Sequence, residues 1–175
     1  NNTVTLTSTL SVGQNITLDG STLYLSEALS VPNDLTLNNG AVLSPSANEI
    51  ALKLDITGTL TVDAASKVDA SGYGYYTEQS AHPFYTRRFC HAGPTFGLSA
   101  AAAGCEYGDY RRAAYGGASN SLDYRAGGLI EIVAQALVLE GEISANGTAY
   151  SSYSGSGGAV HLETTTLSGG GSISA

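Results

Sequence analysis

A motif that occurs twice, at an offset of thirty residues, is the strongest indication of the fold. The first copy begins with Gly127-Gly128-Leu129-Ile130-Glu131-Ile132 and ends with Gly141-Glu142-Ile143-Ser144-Ala145-Asn146-Gly147. The second begins with Gly157-Gly158-Ala159-Val160-His161-Leu162 and ends with Gly171-Ser172-Ile173-Ser174-Ala175. A fixed period with alternating apolar residues is typical of stacked repeats, because one repeat cannot bury its apolar face alone. We therefore expect the function to lie on a surface or along a rod.

A shorter repeat occupies the first part of the chain. The run Leu29-Ser30-Val31-Pro32-Asn33-Asp34-Leu35-Thr36-Leu37 follows Leu10-Ser11-Val12-Gly13-Gln14-Asn15-Ile16-Thr17-Leu18 at an offset of 19, and Leu60-Thr61-Val62-Asp63 begins a third copy. Apolar and polar residues alternate in each copy, as in a half-buried strand. Turn-forming residues separate the copies at Asp19-Gly20, Asn38-Asn39-Gly40, Ser71-Gly72 and Asn146-Gly147.

This pattern predicts an all-β fold, specifically a single-stranded parallel β-helix (solenoid) with one long irregular, disulfide-containing insertion. The glycine pairs Gly127-Gly128 and Gly157-Gly158 are expected at tight turns with positive φ. Ten aliphatic side chains are predicted to point inward and to stack: Ile16, Leu18, Leu35, Leu37, Leu60, Val62, Leu137, Leu139, Ile143 and Ile173.

Residues 73–126 interrupt the aliphatic pattern. They hold eight of the eleven Tyr, all three Phe, every Arg and both cysteines. The predicted organisation is therefore repeats over 1–72, an insertion loop rich in Tyr, Arg and Gly over 73–126, and repeats again over 127–175. The spacing of Cys90 and Cys105 fits neither a zinc ribbon nor a redox CxxC motif, which favours a single disulfide between them.

The repeat from Gly127 to Gly147, and again from Gly157 to Ala175, resembles a repeat of large secreted or cell-surface β-helix proteins of bacteria and protists. A weaker echo runs from Leu60-Thr61-Val62 to Val68-Asp69-Ala70-Ser71-Gly72. In those proteins a Gly-rich segment with aromatic residues also interrupts the repeats. The resemblance implies a fold more than a function, since such proteins include lyases, adhesins and stalks.

Composition and charge exclude several classes of protein. The formal net charge is −8, and an acidic chain repels phosphate backbones, so nucleic acid is not an expected partner. No apolar run is long enough to insert into a membrane. The first residues, Asn1-Asn2-Thr3, show no signal peptide and no initiator Met, so a secreted protein would be present here as a mature or excised form. Sequons at Asn1, Asn15 and Asn146 are compatible with glycosylation in an extracellular or cell-surface protein.

The sequence contains no pattern of an enzyme, a metal site or a cofactor site. The acidic residues are scattered, and neither Lys53 nor Lys67 has a recognisable carboxylate cluster beside it. The three histidines, His82, His91 and His161, lack metal-ligand spacing. We predict no catalytic residues, no metal ligands and no cofactor. An ice-binding face would need paired T-x-T motifs on consecutive repeats, and only Thr3-Thr5-Thr7 and Thr59-Thr61 pair.

The insertion is the predicted interface, because Tyr, Phe and Arg anchor protein contacts. The residues expected to carry it are Tyr85, Arg87, Arg88, Phe89, Tyr107, Tyr110, Arg111 and Arg112. The alternatives are a loop that packs on its own chain and a surface that stacks against glycans.

The predicted function is therefore a structural module of an extracellular filament, appendage or adhesin stalk. It would assemble end to end through its repeats and laterally through the insertion, with itself or with neighbouring modules of the same chain. The second repeat stops at Ile173-Ser174-Ala175, before the Asn-Gly turn of the first, which suggests one module of a longer or head-to-tail polymer. The alternative is a protein that binds or cleaves carbohydrate.

Overall fold

The computed structural model describes residues 2–7, 13–76, 115–119, 123–151 and 153–175. Within these ranges there is no helix, and hence none that could cross a membrane. The strands are β1 Thr3–Leu6, β2 Ile16–Asp19, β3 Thr22–Leu25, β4 Leu29–Val31, β5 Leu35–Asn38, β6 Val42–Pro45, β7 Ala51–Val62, β8 Lys67–Asp69, β9 Tyr75–Tyr76, β10 Ala118–Ser119, β11 Leu129–Leu139, β12 Glu142–Ser144, β13 Ala149–Tyr150, β14 Tyr153–Ser154, β15 Ala159–Ser168 and β16 Ser172–Ser174.

Most of the strands belong to two six-stranded sheets. The first sheet has the order β1-β3-β6-β8-β12-β16, and the second has the order β15-β11-β7-β5-β2 with β4 beside β7. Apart from β4 and β5, which both belong to the second sheet, the successive strands of the two large sheets alternate between them. Neighbours within a sheet are parallel, as in the pairs β1 with β3, β12 with β16, β2 with β5 and β3 with β6. Parallel neighbours need a crossover, and here the opposite sheet supplies it. Two small sheets, β9 with β10 and β13 with β14, complete the described part of the chain.

The sequence repeats set the register of the first sheet. One row of side chains crosses all six strands: Val4, Leu23, Leu43, Val68, Ile143 and Ile173. The step from Val4 to Leu23 equals the 19-residue offset, and the step from Ile143 to Ile173 equals the thirty-residue offset. The step from Val68 to Ile143 contains the insertion, yet the register is kept across it.

The core lies on the inward faces of these strands. Seven of the ten side chains predicted to point inward are buried, among them Leu35, Leu60 and Ile143 at 0% exposure. Alternate residues of β7 are buried, as expected for a strand with one face in a core. Ile16 and Leu18 on β2 are half-buried, because β2 is an edge strand of the second sheet.

The predicted architecture was wrong. A single-stranded β-helix was expected, whereas the described strands sort into two six-stranded parallel sheets in a sandwich-like arrangement. The physical reason is that period and alternation determine which strands become neighbours and which side chains are buried. They do not determine how the strands of one repeat divide between sheets. The predicted disulfide within the insertion lies outside the described residues.

The contacts group the chain into two compact units. One comprises Asn1–Asp69, Glu131–Ser144 and Leu162–Ser174, and the other comprises Ala70–Ile130, Ala145–His161 and Ala175. The first unit contains the whole of the first sheet and most of the second. The described part of the second unit is rich in glycine and holds the two small sheets. The boundaries predicted at 72 and 126 stay a prediction.

Candidate assembly surfaces

The residues predicted to form the interface all lie outside the described residues. This holds for Tyr85, Arg87, Arg88, Phe89, Tyr107, Tyr110, Arg111 and Arg112, for the predicted disulfide of Cys90 and Cys105, and for the sequon at Asn1. The structure does describe the two other sequons, the base from which the insertion leaves, and the edges of both sheets.

The sequon at Asn15 is open to solvent. Asn15 and Thr17 are both exposed. The side-chain oxygen of Asn15 accepts a hydrogen bond from the Asp34 amide at 3.3 Å, so the side-chain nitrogen, which would carry a glycan, is not the atom that makes this contact. The carboxylate of Asp34 in turn accepts a hydrogen bond from the Thr59 amide at 2.8 Å. Asn15 therefore begins a polar column that joins the turns of three successive repeats.

The sequon at Asn146 is packed against its own unit. Asn146 is half-buried, and its backbone amide donates to the Ser71 hydroxyl at 3.1 Å. The hydroxyl of Thr148 donates to the Arg125 carbonyl at 3.1 Å and accepts a hydrogen bond from the Arg125 amide at 2.7 Å. The hydroxyl that defines the sequon is thus engaged in the folded protein. The two described sequons differ in accessibility, which the sequence alone did not indicate.

Within the insertion, two short parallel strands flank the segment 77–114 and form its base. Strand β9 pairs with β10, with Tyr75 beside Ala118 and Tyr76 beside Ser119. The Tyr75 amide donates to the Gly117 carbonyl at 2.8 Å, and the Gly117 amide donates to the Gly127 carbonyl at 2.8 Å. The backbone on both sides of the segment 77–114 is therefore held by hydrogen bonds close to the point where it departs. Burial, with Tyr115 adding to it, raises the pKa of the Tyr75 phenol.

Glycine makes this base possible because the backbones lie close together. A Cβ on Gly74, Gly117, Gly127 or Gly158 would lie closer than 3.0 Å to a backbone carbonyl of another segment. The expectation of positive φ at the glycine pairs was wrong. The described glycines with positive φ are Gly20, Gly40, Gly72 and Gly169. Gly127 and Gly158 instead allow close approach of two backbones, which a sequence cannot distinguish from turn formation.

A second polar column joins the turns between the two sheets. The Asn39 amide donates to Asp63 Oδ2 at 2.7 Å, and the Ala65 amide donates to Asp63 Oδ1 at 3.0 Å. The side chain of Asn39 reaches the carboxylate of Asp19 in the preceding turn. Hydrogen bonds from the Ser66 side chain and from the Asn39 amide lower the pKa of the Asp63 carboxyl.

Both lysines have carboxylate partners that the sequence did not indicate. Lys53 Nζ lies 3.3 Å from Glu131 Oε2, and Lys67 Nζ lies 2.6 Å from Asp69 Oδ2. The hydrogen bond that the Lys67 ammonium donates to the Asp69 carboxylate raises the pKa of Lys67, and the charge of Glu142 adds to the effect. Glu142 is 75 residues from Lys67, and only the pairing of β12 with β8 brings them together. These pairs are exposed enough that we assign them little stability.

A shallow groove of about 320 Å³ lies beside Lys67, within the first unit. Its lining includes Glu140, Glu142 and Ser172, and glycines at 141, 170 and 171 leave room along its floor. The carboxylate of Glu140 accepts a hydrogen bond from the Gly170 amide at 3.2 Å. The groove thus presents two carboxylates, one ammonium and the hydroxyls of Ser66 and Ser172, which are groups that bind polyols through hydrogen bonds. Among the described residues there is no group of three His, Cys, Asp or Glu side chains that could hold a metal ion.

The edges of the two sheets expose aliphatic side chains. Within the row that crosses the first sheet, the four inner members are at most 5% exposed, whereas Val4 is 53% and Ile173 is 44% exposed. On β15, the edge strand of the second sheet, Leu167 is 56% exposed. In the first sheet the charged residues Lys67, Asp69 and Glu142 lie on inner strands, and the edge strands β1 and β16 carry none.

Uncharged edge strands are unusual, because natural sheets protect their edges with Lys, Pro or bulges. The two edges of the first sheet also share one pattern: a hydroxyl residue, a β-branched aliphatic residue and a second hydroxyl residue, in Thr3-Val4-Thr5 and in Ser172-Ile173-Ser174. The edges are therefore the described surface best suited to pairing with a further strand. Comparisons with protein-family models, with curated proteins and with solved structures found no match for this chain.

Proposed function

We propose that this chain is a structural module of an extracellular filament, appendage or adhesin stalk, which assembles by adding strands at the open edges of its sheets. The observation that carries the proposal is the row of aliphatic side chains across the first sheet. It is buried at every inner strand and exposed at both ends, at Val4 and Ile173. A further strand added at either edge would bury the exposed apolar side chain at that end of the row, which is favourable.

The placement of charge supports the same proposal. The net charge of −8 would keep separate molecules soluble, while the first sheet's edge strands carry no charge that would oppose pairing. The exposed sequon at Asn15 supports an extracellular location. The insertion is the second proposed contact. Its base pairs Tyr75 with Ala118, on either side of segment 77–114.

Two measurements test this function. Sedimentation of the purified chain over a range of concentrations tests self-association, and electron microscopy of the native material with a labelled antibody tests its place in an extracellular structure. We expect concentration-dependent assemblies and label along filaments or stalks at the cell surface. Label confined to the interior of cells would contradict the proposed function.

Carbohydrate binding is a second candidate, and the groove beside Lys67 favours it. The groove combines the carboxylates of Glu140 and Glu142 with the Ser172 hydroxyl, and its volume of about 320 Å³ is sufficient for one sugar ring. A glycan array tests this candidate. Binding that Glu142→Gln weakens, while Glu49→Gln on an exposed turn leaves it unchanged, would support it. Equal binding by both variants would exclude the groove.

A further inference from the structure

The hydrogen bonds of the first sheet repeat at one phase through all its strands. The first residue of each strand pairs with a residue of the neighbouring strand that comes earlier in the chain. Its amide donates to the carbonyl of the residue just before that paired residue: Thr22, for example, pairs with Thr3 and donates to the Asn2 carbonyl. Five bonds follow this rule: Thr22 to Asn2 at 2.9 Å, Val42 to Ser21 at 3.0 Å, Lys67 to Ala41 at 2.9 Å, Glu142 to Ser66 at 3.3 Å and Ser172 to Gly141 at 2.9 Å. The rule is independent of the length of chain between the strands, since the step to Glu142 spans the insertion.

This phase determines which backbone groups face the open edges. Because Ser172 bonds to its inner neighbour, the alternation along a strand turns the Gly171 carbonyl and the peptide groups of Ile173 toward the open side of β16. At the two ends of β1, the carbonyls of Asn2 and Leu6 accept hydrogen bonds from the amides of Thr22 and Ser26, so the peptide groups of Thr3 and Thr5 face the opposite, open side. The donors on one edge therefore match the acceptors on the other.

We infer that the edge β16 of one copy pairs in parallel with the edge β1 of a second copy, with Ile173 beside Val4. This inference rests on the proposed function and names its partner, which is another copy of this chain. The Thr3 amide would donate to the Gly171 carbonyl of the neighbouring copy, which continues the rule of the five bonds. The same register places Ser172 beside Thr3 and Ser174 beside Thr5.

Backbone and side chains select this register together. Pairing of Ile173 with Val4 continues the buried aliphatic row. A shift of the pairing by one residue would place Ile173 beside Thr3 or Thr5. The apolar side chains of one strand would then lie on the solvent face of the sheet instead of the core face. The two edges are different surfaces, so the contact is head to tail. A head-to-tail contact does not close on two copies by itself and leads to open chains or to rings.

Engineered disulfides test the register. In Thr3→Cys/Ser172→Cys, neighbouring strands place the two Cα atoms of adjacent copies about 4.8 Å apart, which a disulfide can bridge. The control Thr3→Cys/Ser174→Cys slips by two residues, and the separation of about 8 Å is too long for a disulfide. We expect intermolecular links between positions 3 and 172 by peptide mass mapping, and at least tenfold fewer in the control. Equal yields in both variants would overturn the register.

Mixing two edge variants tests the direction of the contact. Val4→Asp damages one edge and Ile173→Asp damages the other, so neither variant alone should form the end-to-end chains of the parent in sedimentation. Their mixture should form end-to-end pairs but no longer end-to-end chains, because each pair contains one intact β16 edge and one intact β1 edge. Val133→Asp is the matched control, since Val133 is 38% exposed on an inner strand of the second sheet, and it should assemble like the parent chain.

The outcomes separate this inference from the proposed function. Assembly that survives in both edge variants, with label still on extracellular filaments, would overturn the edge contact and leave the structural function in place. A parent chain that stays monomeric and forms no link between positions 3 and 172 would also overturn the edge contact. Circular dichroism of each variant shows whether the monomer is folded, and the cross-linking arm keeps the inference testable if an Asp variant unfolds.

Discussion

Truncation of a side chain within the row across the first sheet should cost much more in the middle than at the edge. In Ile143→Ala, the removed atoms are at 0% exposure between Val68 and Ile173. The lost transfer free energy is about 2.4 kcal/mol at about 0.8 kcal/mol per buried carbon, and the residual cavity raises the total to about 3–4 kcal/mol. In Ile173→Ala, 44% of the residue is already exposed and no closed cavity forms, so we expect about 1.3 kcal/mol.

Equilibrium unfolding in urea, followed by circular dichroism, measures both values. The protein should be dilute, because assembly would bury Ile173 and raise its apparent contribution. The comparison uses one residue type in one row, so differences in side-chain chemistry cancel. If Ile143→Ala and Ile173→Ala destabilise the chain to within about 0.5 kcal/mol of each other, the row does not form a continuous core and the account of the fold is wrong.

Four further perturbations have defined outcomes. Gly127→Ala should destabilise the chain by about 3 kcal/mol or more in the same unfolding assay, because its Cβ would collide with the Ala145 carbonyl. The control is Gly13→Ala, whose Cβ would have nothing within 4 Å. It should change the free energy of unfolding by less than about 0.5 kcal/mol. The pKa of the Asp63 carboxyl is lower in the folded chain than its ordinary value of 3.8, so ionised Asp63 stabilises the fold above pH 3.8. This contribution is lost as the pH falls through the folded pKa. Asp63→Asn should therefore flatten the decline in the free energy of unfolding below pH 3.8. Mass measurement under non-reducing conditions should show Cys90 and Cys105 bonded, and two thiols that react with iodoacetamide in the untreated protein would refute this. Deletion of 73–126 should retain β-sheet circular dichroism and remove lateral assembly, and global unfolding of the deletion would show that the segment belongs to the core.

The sequence allowed the neighbours within each sheet to be predicted, because alternation and period are local signals. The offset of 19 residues anticipated the pairing of Ile16 with Leu35, and the offset of thirty anticipated the pairing of Ile143 with Ile173. The division of strands into two sheets was not predictable in the same way. It depends on how the chain turns between strands, and the residues Asp-Gly and Asn-Gly are compatible with several paths.

The candidate surfaces show the same limit. Lys67 and Glu142 line one groove although 75 residues separate them. The sequence signal of this proximity was the weak echo of the repeat that ends in Val68-Asp69-Ala70-Ser71-Gly72, and it did not indicate which side chains would form a groove. The role of the paired glycines also depended on the fold, since close approach at Gly127 requires the Ala145 carbonyl from another segment.

X-ray diffraction from oriented assemblies of the parent chain measures whether copies add at the edges of the sheets. If copies add edge to edge, the strands lie across the long axis of the assembly and neighbouring strands repeat along it at about 4.7–4.9 Å. We therefore predict a reflection at this spacing along the long axis, which weakens when Val4→Asp replaces the parent chain. A reflection at this spacing perpendicular to the axis, or ordered assemblies without it, would contradict addition at the sheet edges.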